Sequence, residues 1–491
     1  MKKTHKIIHR YLVCLSLSLI AALAILVSGC KKFITVPPPS TSINNANVFT
    51  TNATAIATLT QIYAVLSAGD QAFSGPASTY LYPALSADEL TLYDVNNVSY
   101  NLFYKNSLVP TNTGVGLDYW QSNYQLINNC NVAIEGLNTS TSLTPPVKSQ
   151  LLGEAYFMRA YFYFNLVNLY GDAALATTSD YKVNDALARS PKVQVYQQII
   201  SDLTVAESLL SKTFVDGTVI TNTTARVRPT YWAAAALLAK TYLYNGNLTG
   251  DQSNYSNAIT ESSKVIGSSL FSLSSLNSVF LANSSETIWS LQPVKTNPTA
   301  NTGEGEIFVL PATGPNASGT YPVYLSNYVL NAFESGDLRR TNWVSSVIVG
   351  ANTYYFPNKY KKGLASTPAT ENIVMFRLAE QYLIKAEAEA NLNNVAASQL
   401  DLNMVRSRAS LSNTTASTQA LLLSAILHER QIELFTEGHR WFDLKRTGTV
   451  DAVMSIVCAQ KGGSWSSYKQ WYPINYSEIQ ANSNLIQNQG Y

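Results

Sequence analysis

The chain has 491 residues, 46% of them hydrophobic, which is enough to bury a large core, and its formal net charge is only +2. That balance excludes the strongly basic surface a nucleic-acid binder needs. With only 13% charged residues, much of the polar surface falls to Asn, Ser, Thr and the 30 tyrosines.

The chain starts with Lys2, Lys3, Lys6 and Arg10, then runs apolar from about Tyr11 to Val27-Ser28-Gly29-Cys30. A basic start, an apolar middle and a small-residue end make a secretory signal, residues 1–29. A cysteine straight after the small residues is a lipobox, so Cys30 is expected to carry a diacylglycerol and become the first residue. An uncleaved membrane helix is the alternative, since about 18 apolar residues could just span a bilayer. A helix stop, however, does not require Ser-Gly-Cys at its edge. Each buried methylene contributes about 0.8 kcal/mol, so several acyl chains on one cysteine anchor stably where one would not. Cleavage removes four of 33 basic residues and none of 31 acidic ones, leaving 29 against 31, a net charge of −2. Cys14 leaves with the signal. Cys130 and Cys458 read as buried thiols, although an oxidising compartment would let them pair.

Residues 30–42 (CKKFITVPPPSTS) read as the lipidated cysteine and a proline-rich extended tether. A body over 43–491 follows, mainly α. Ile56, Leu59, Ile62, Tyr63 and Leu66 recur at helical spacing, one apolar stripe. Helices are predicted at about 117–137, with Trp120, Tyr124, Ile127 and Ile134 inward, and at about 147–170, packing Leu151, Ala155, Met158, Phe162 and Val167 on one side and stopping at Gly171. Others are predicted at 192–212, 229–246, 252–267, 373–392, 394–410 and 417–437. They come as short-linked pairs, with small residues such as Ala233 to Ala236, Ala386, Ala388 and Ala390 at close crossings. The scaffold thus spans about 43–67, 117–267 and 373–446, before a C-terminal segment 447–491. Its architecture is a tetratricopeptide-like helical-pair solenoid, although no strict 34-residue signature repeats.

Two long stretches, about 68–116 and 270–372, lack helical period and are rich in Gly, Pro, Asn, Ser and aromatics. Loops this long are usually functional or disordered, and their aromatic content argues against disorder. They are the expected loop-rich binding region. Trp289 in ETIWSLQPV alternates like a strand and reads as core.

The densest charge pattern is HERQIELFTEGHRWFDLKRTG, residues 428–448. Arg430, Glu433 and Glu437 follow helical spacings, so opposite charges meet on one face, and Arg440, Asp443 and Arg446 continue beyond Gly438. His428 or His439 with a carboxylate could make an acid–base site; a buried ion network is the stronger reading for Arg430, Glu433, Glu437, Arg440 and Asp443. Ile432 stands where HExxH needs its second histidine, so no metalloprotease signature is present. The mature chain keeps no other histidine, leaving a His-based metal site short of ligands. No catalytic residue, metal or cofactor is expected.

These segments carry a resemblance to the SusD/RagB family of outer-membrane nutrient-binding lipoproteins from Bacteroidetes. CKKFITVPPPS resembles the family's start after the lipidated cysteine. DYWQSNYQLINNCNVAIEGL carries its Trp120, Tyr124, Ile127, Asn128 and Asn131 positions, and RAYFYFNLVNLYGD its tyrosine-rich helix. FRLAEQYLIKAEAEANL, LNMVRSRA, the charge block and PINYSEIQANSNLIQNQGY follow in the family's order. Ala174, Asn475, Ser483 and Gln489 stand where the family commonly has proline, which loosens the backbone locally.

The resemblance implies a non-catalytic protein, lipid-anchored in the outer membrane and facing the cell surface. It would capture an oligosaccharide, or alternatively a peptide, and deliver it to a TonB-dependent SusC-like transporter. The family's binding loops vary, so no ligand residue carries over by motif. From the residues themselves, sugar C–H faces pack on aromatic rings while hydroxyls need amide and charged partners. Tyr93, Asn96, Asn97, Tyr100, Tyr321, Tyr324 and Trp343 are the candidates. Two rival classes are a glycoside hydrolase using Asp88-Glu89 or Glu304/Glu306, which lacks two carboxyls placed across a bond, and a tetratricopeptide adaptor, which would have short turns instead of 270–372.

Overall fold

The computed structural model describes residues 48–68, 76–113, 119–294, 301–363 and 369–491, and residues 49–491 form one compact unit. The expected signal, Cys30 and tether lie outside the described residues.

Helix α1 (Asn52–Ser67) starts at Thr51, whose hydroxyl accepts from the Thr54 N–H, filling one of the donors a helix start leaves open. It buries Leu59, Ile62, Tyr63 and Leu66 from the predicted stripe, while Ile56 is half-buried. Helix α2 (Pro76–Ser86), strand β1 (Leu90–Leu92) and helix α3 (Val98–Tyr104) then occupy a stretch expected to lack helical period. Pro83 interrupts the pattern in α2, and α3 has only 7 residues, too short for a stripe to register.

The scaffold helices are α4 (Tyr119–Thr139), α5 (Pro145–Tyr170), α6 (Lys192–Leu209), α7 (Tyr231–Thr249) and α8 (Gln252–Ile266). Each packs on the next, and α8 packs on α9 (Leu378–Asn391), which α10 (Val395–Arg408) and α11 (Gln419–Glu433) cover. Such neighbour-on-neighbour stacking is the solenoid arrangement. Every residue of α5 from Phe157 to Tyr170 is buried. The helix is therefore enclosed, not one-sided as expected, because its apolar residues run all round it. It ends at Gly171, whose φ of 80° is unfavourable for any residue with a Cβ. Ala233 to Ala236 in α7 and Ala386, Ala388 and Ala390 in α9 are buried. Their short side chains let neighbouring helices approach. Around α9, Leu383, Leu402, Val405, Leu422 and Ile426 make a continuous cluster, and each buried leucine-sized side chain stabilises by about 1.5–3 kcal/mol.

Short strands fill the second loop-rich stretch: β2 (Thr287–Leu291), β3 (Val323–Leu325), β4 (Val344–Val349), β5 (Asn352–Pro357) and β6 (Ile373–Arg377). β4 and β5 form a hairpin, β3 pairs with β1, and β2 pairs with β6, all antiparallel. Trp289 is a fully buried strand residue. Residues 373–377, expected to open a helix, are instead the fully buried strand β6, and the helix begins at Leu378. The run Ile-Val-Met-Phe suits a strand buried on both faces. Helices α12 (Arg440–Arg446) and α13 (Val450–Gln460) follow α11, further short helices include Gly303–Phe308, Leu338–Asn342 and Tyr476–Ala481, and Cys130 and Cys458 are free and buried.

Candidate functional site

Arg430, Glu433 and Glu437 do not pair with one another along their helix, whereas Asp443 and Arg446 pair at 2.8 Å on α12. α11 ends at Glu433, and Thr436 (φ 55°) and Gly438 (φ 77°) turn the chain, so Glu437 leaves the face that helical spacing would give it. Arg430 donates to Asp443 at 2.8 Å. Glu433 accepts from Arg377 at 2.5 Å, Arg339 at 2.9 Å, and Arg408. Glu437 accepts from Arg377 at 2.7 Å and Lys359 at 2.5 Å. Arg440 grips Asp88 through Nε at 2.9 Å and Nη2 at 2.8 Å. All five block residues are buried. Burial alone would raise the carboxyls of Glu433 and Glu437, but Arg408, Arg377 and Arg339 around the first, and Arg377 and Lys359 around the second, hold both below the usual range. His439 is buried 3.3 Å from Lys240. Burial, then Lys240 and Arg430, press its imidazole towards the neutral form, and the Glu380 carboxylate lies 3.4 Å from its Nδ1.

This network fixes the loop-rich face in place. Asp88 and Glu89 immediately precede β1. While Arg440 holds Asp88, the Glu89 carboxylate accepts from the Thr436 N–H at 3.0 Å. The Asp88 and Glu89 carbonyls accept from the Ser326 hydroxyl and, at 3.0 Å, from its N–H. β1 and β3 are thereby clamped in the register Leu90 to Leu325, Thr91 to Tyr324 and Leu92 to Val323. One residue beyond β1, the Tyr93 N–H donates to the Pro322 carbonyl at 2.9 Å.

The clamp brings Tyr93 and Tyr324 to one place, where both meet Tyr354 of the hairpin. The Tyr93 and Tyr354 centroids lie 5.8 Å apart with planes at 75°, and those of Tyr324 and Tyr354 5.2 Å apart at 77°. Tyr93 is 42% exposed; Tyr324 and Tyr354 are half-buried. Burial, then Tyr354 and Tyr93, raise the Tyr324 phenol above its ordinary value, keeping it a hydrogen-bond donor. Exposed Asn96 lies beside this angled aromatic surface in sequence, and the Asp94 carboxylate accepts from the Asn96 N–H at 2.9 Å. Ring surface at Tyr93 is thus followed directly in the chain by the polar residues Asp94, Asn96 and Asn97.

The other candidates are elsewhere or already engaged. The Asn97 side chain caps α3, accepting from the Tyr100 N–H at 3.2 Å. Tyr100 is buried beneath, its ring 5.8 Å from Tyr82. Tyr321 is half-buried and its backbone carbonyl accepts from the Asn316 N–H at 3.0 Å. Trp343 lies in the core, fully buried, its indole N–H donating to the Leu276 carbonyl at 2.8 Å. Lys359, at 4.8 Å, and the guanidiniums of Arg408 and Arg377, at 5.5 and 5.8 Å, lie over its ring. It belongs to the ion network and not to a binding face. Tyr354 is absent from the expected set, and the β-favouring run Thr-Tyr-Tyr-Phe is the signal that could have found it. Of the carboxylates considered for hydrolysis, Asp88 is paired, and Glu89 and Glu304 are buried.

Two profiles match the chain: the SusD family over residues 316–491, and "Starch-binding associating with outer membrane" over residues 43–243. SusD-like protein P25 of Formosa agariphila is 25% identical, covering 76% of this chain and 79% of that one. A SusD superfamily protein from Parabacteroides distasonis superposes with a TM-score of 0.75 at 23% identity, over 89% of this chain and 98% of that one. A laminarin-binding SusD-like protein superposes at 0.73 and 23%, over 89% and 99%. At these identities the superpositions show a shared fold.

Proposed function

The chain belongs to the SusD/RagB family, and from that premise we propose that it is a non-catalytic outer-membrane lipoprotein that binds an oligosaccharide and passes it to a TonB-dependent SusC-like transporter. The observation that carries the reading is the tyrosine patch, with Tyr93 exposed and Tyr324 and Tyr354 half-buried. Two chain segments far apart in sequence are clamped by a buried ion network so that Tyr93 and Tyr324 share Tyr354. A surface of aromatic faces beside amides suits sugar rings, whose C–H faces stack and whose hydroxyls exchange water for protein at little net gain. Affinity is therefore expected in the micromolar to millimolar range, about −4 to −8 kcal/mol.

Calorimetry of the full chain in non-ionic detergent against neutral oligosaccharides tests the first half. Binding that is lost in Tyr324→Ala with an unchanged melting temperature supports it; a full panel without heat rejects it. Co-purification of a transporter barrel with the tagged protein tests the second half.

A further inference from the structure

A second polar groove lies between Gly171, the start of α6 and the C-terminal segment. Its volume is about 770 Å³, and its lining includes Arg189, Lys192, Tyr468, Trp471 and Gln489. That size suits a small organic ligand. Trp471 is its centre. The ammonium of Lys192 and that of Lys445 each stand 4.6 Å from the Trp471 ring centroid. Neither lysine has a carboxylate partner among the described residues; Lys445 donates to the Asn168 carbonyl. Arg189 adds a third positive charge, held by the carbonyls of Asp172 at 2.7 Å, Tyr170 at 2.9 Å and Ile486 at 2.8 Å, and by Asn488 at 2.7 Å. Asp172 is the one acid in the groove lining, and its carboxylate accepts from the Lys192 backbone N–H at 2.9 Å. Within the lining, Lys192 and Arg189 thus face one acid around a half-buried indole, and Lys445 approaches the same ring from the neighbouring cavity.

Burial weakens the hold of Lys192 on its proton, and burial together with Lys192 does so more strongly for Lys445. An anion beside Lys192 would favour its charged form. The amide of Gln489 and the hydroxyl of Ser467, without side-chain partners among the described residues, supply groups for hydroxyls.

We infer that this groove is a second saccharide site, selective for an acidic sugar whose carboxylate or sulfate sits between Lys192 and Arg189 while its ring packs on Trp471. The choice of a sugar rests on the saccharide-binding reading above; the demand for an anion rests on the groove alone.

The test titrates the full chain in non-ionic detergent with trigalacturonate, a sulfated trisaccharide, neutral maltotriose and inorganic sulfate. An acidic trisaccharide should bind, weaken as salt rises, and lose about tenfold in Lys192→Gln, the size of a charge-assisted hydrogen bond. Lys192→Arg should recover it, and Tyr324→Ala should leave it unchanged. Loss in Tyr324→Ala with no effect of Lys192→Gln overturns the groove assignment and spares the tyrosine patch. Inorganic sulfate binding as tightly as both trisaccharides overturns the sugar assignment. Failure of every acidic probe overturns the site, while maltotriose binding in the same experiment leaves the first reading standing.

Discussion

Single residues divide here into those that hold the face together and those that present it. Arg377 touches Glu286, Glu433 and Glu437, all buried, and Glu437 is the one acid paired with buried Lys359 among the described residues, so removing Glu437 strands the Lys359 charge. Glu437→Ala should cost about 3–5 kcal/mol and lower the melting temperature and oligosaccharide binding together. Native stability with lost binding would mean that Glu437 touches ligand. Trp343→Ala should also destabilise, by about 3–5 kcal/mol for an excised core aromatic; a melting temperature equal to wild type would refute its core role. Acid adds a second handle. The folded-state pKa values of Glu433, Glu437 and Asp443 lie below their ordinary 4.5, 4.5 and 3.8, so the stability they contribute is present above those values and lost as pH falls through the lowered ones. Glu89 has the opposite sign: burial and Asp88 raise it to about 8, so it opposes folding as pH climbs from 4.5 to 8. Glu89→Gln should therefore stabilise at pH 8, on the order of 3 kcal/mol, and do little at pH 4. Equal effects at both pH values in thermal melts would contradict the assignment. That the block's charges are buried was readable from a chain so poor in charge. Their partners were not, because Asp88 and Arg377 are brought in by tertiary folding that no local spacing encodes.

At the scale of elements, the long helices were legible because their apolar residues repeat over several turns, as in α1 and α4. Strand β6 was missed because a short apolar run has no period to distinguish strand from helix. The hairpin β4–β5 lay hidden in a stretch judged only by its composition, and with it Tyr354. The patch draws one residue from after β1, one from β3 and one from β5. Tyr324→Ala and Tyr354→Ala should each weaken oligosaccharide binding by about tenfold, in line with stacked hot spots. Tyr321→Ala, outside the triad, should change it little. Calorimetry with thermal melts as control checks this, and equal losses across all three variants would place the ligand elsewhere.

For the whole molecule, attachment and recognition are expected to be separate. If Cys30 alone carries the lipid, Cys30→Ala should leave the protein in the soluble periplasmic fraction or unprocessed. Unchanged outer-membrane association on fractionation would refute the anchor. The body should keep its sugar affinity in that variant. The clamp at β1 has a further consequence, for the order in which function appears. Glu89 bonds Thr436 across 347 residues of sequence, and closing so long a loop costs several kcal/mol of chain entropy before any contact offsets it. Contacts of such span form late in folding, whereas the α4–α8 stack can assemble from near neighbours. If the chain is exported from its amino end, as the proposed signal requires, the stack can therefore form while the tyrosine patch does not yet exist. A copy truncated before the charge block should retain helical structure and bind no sugar, so recognition itself acts as a proof of complete synthesis.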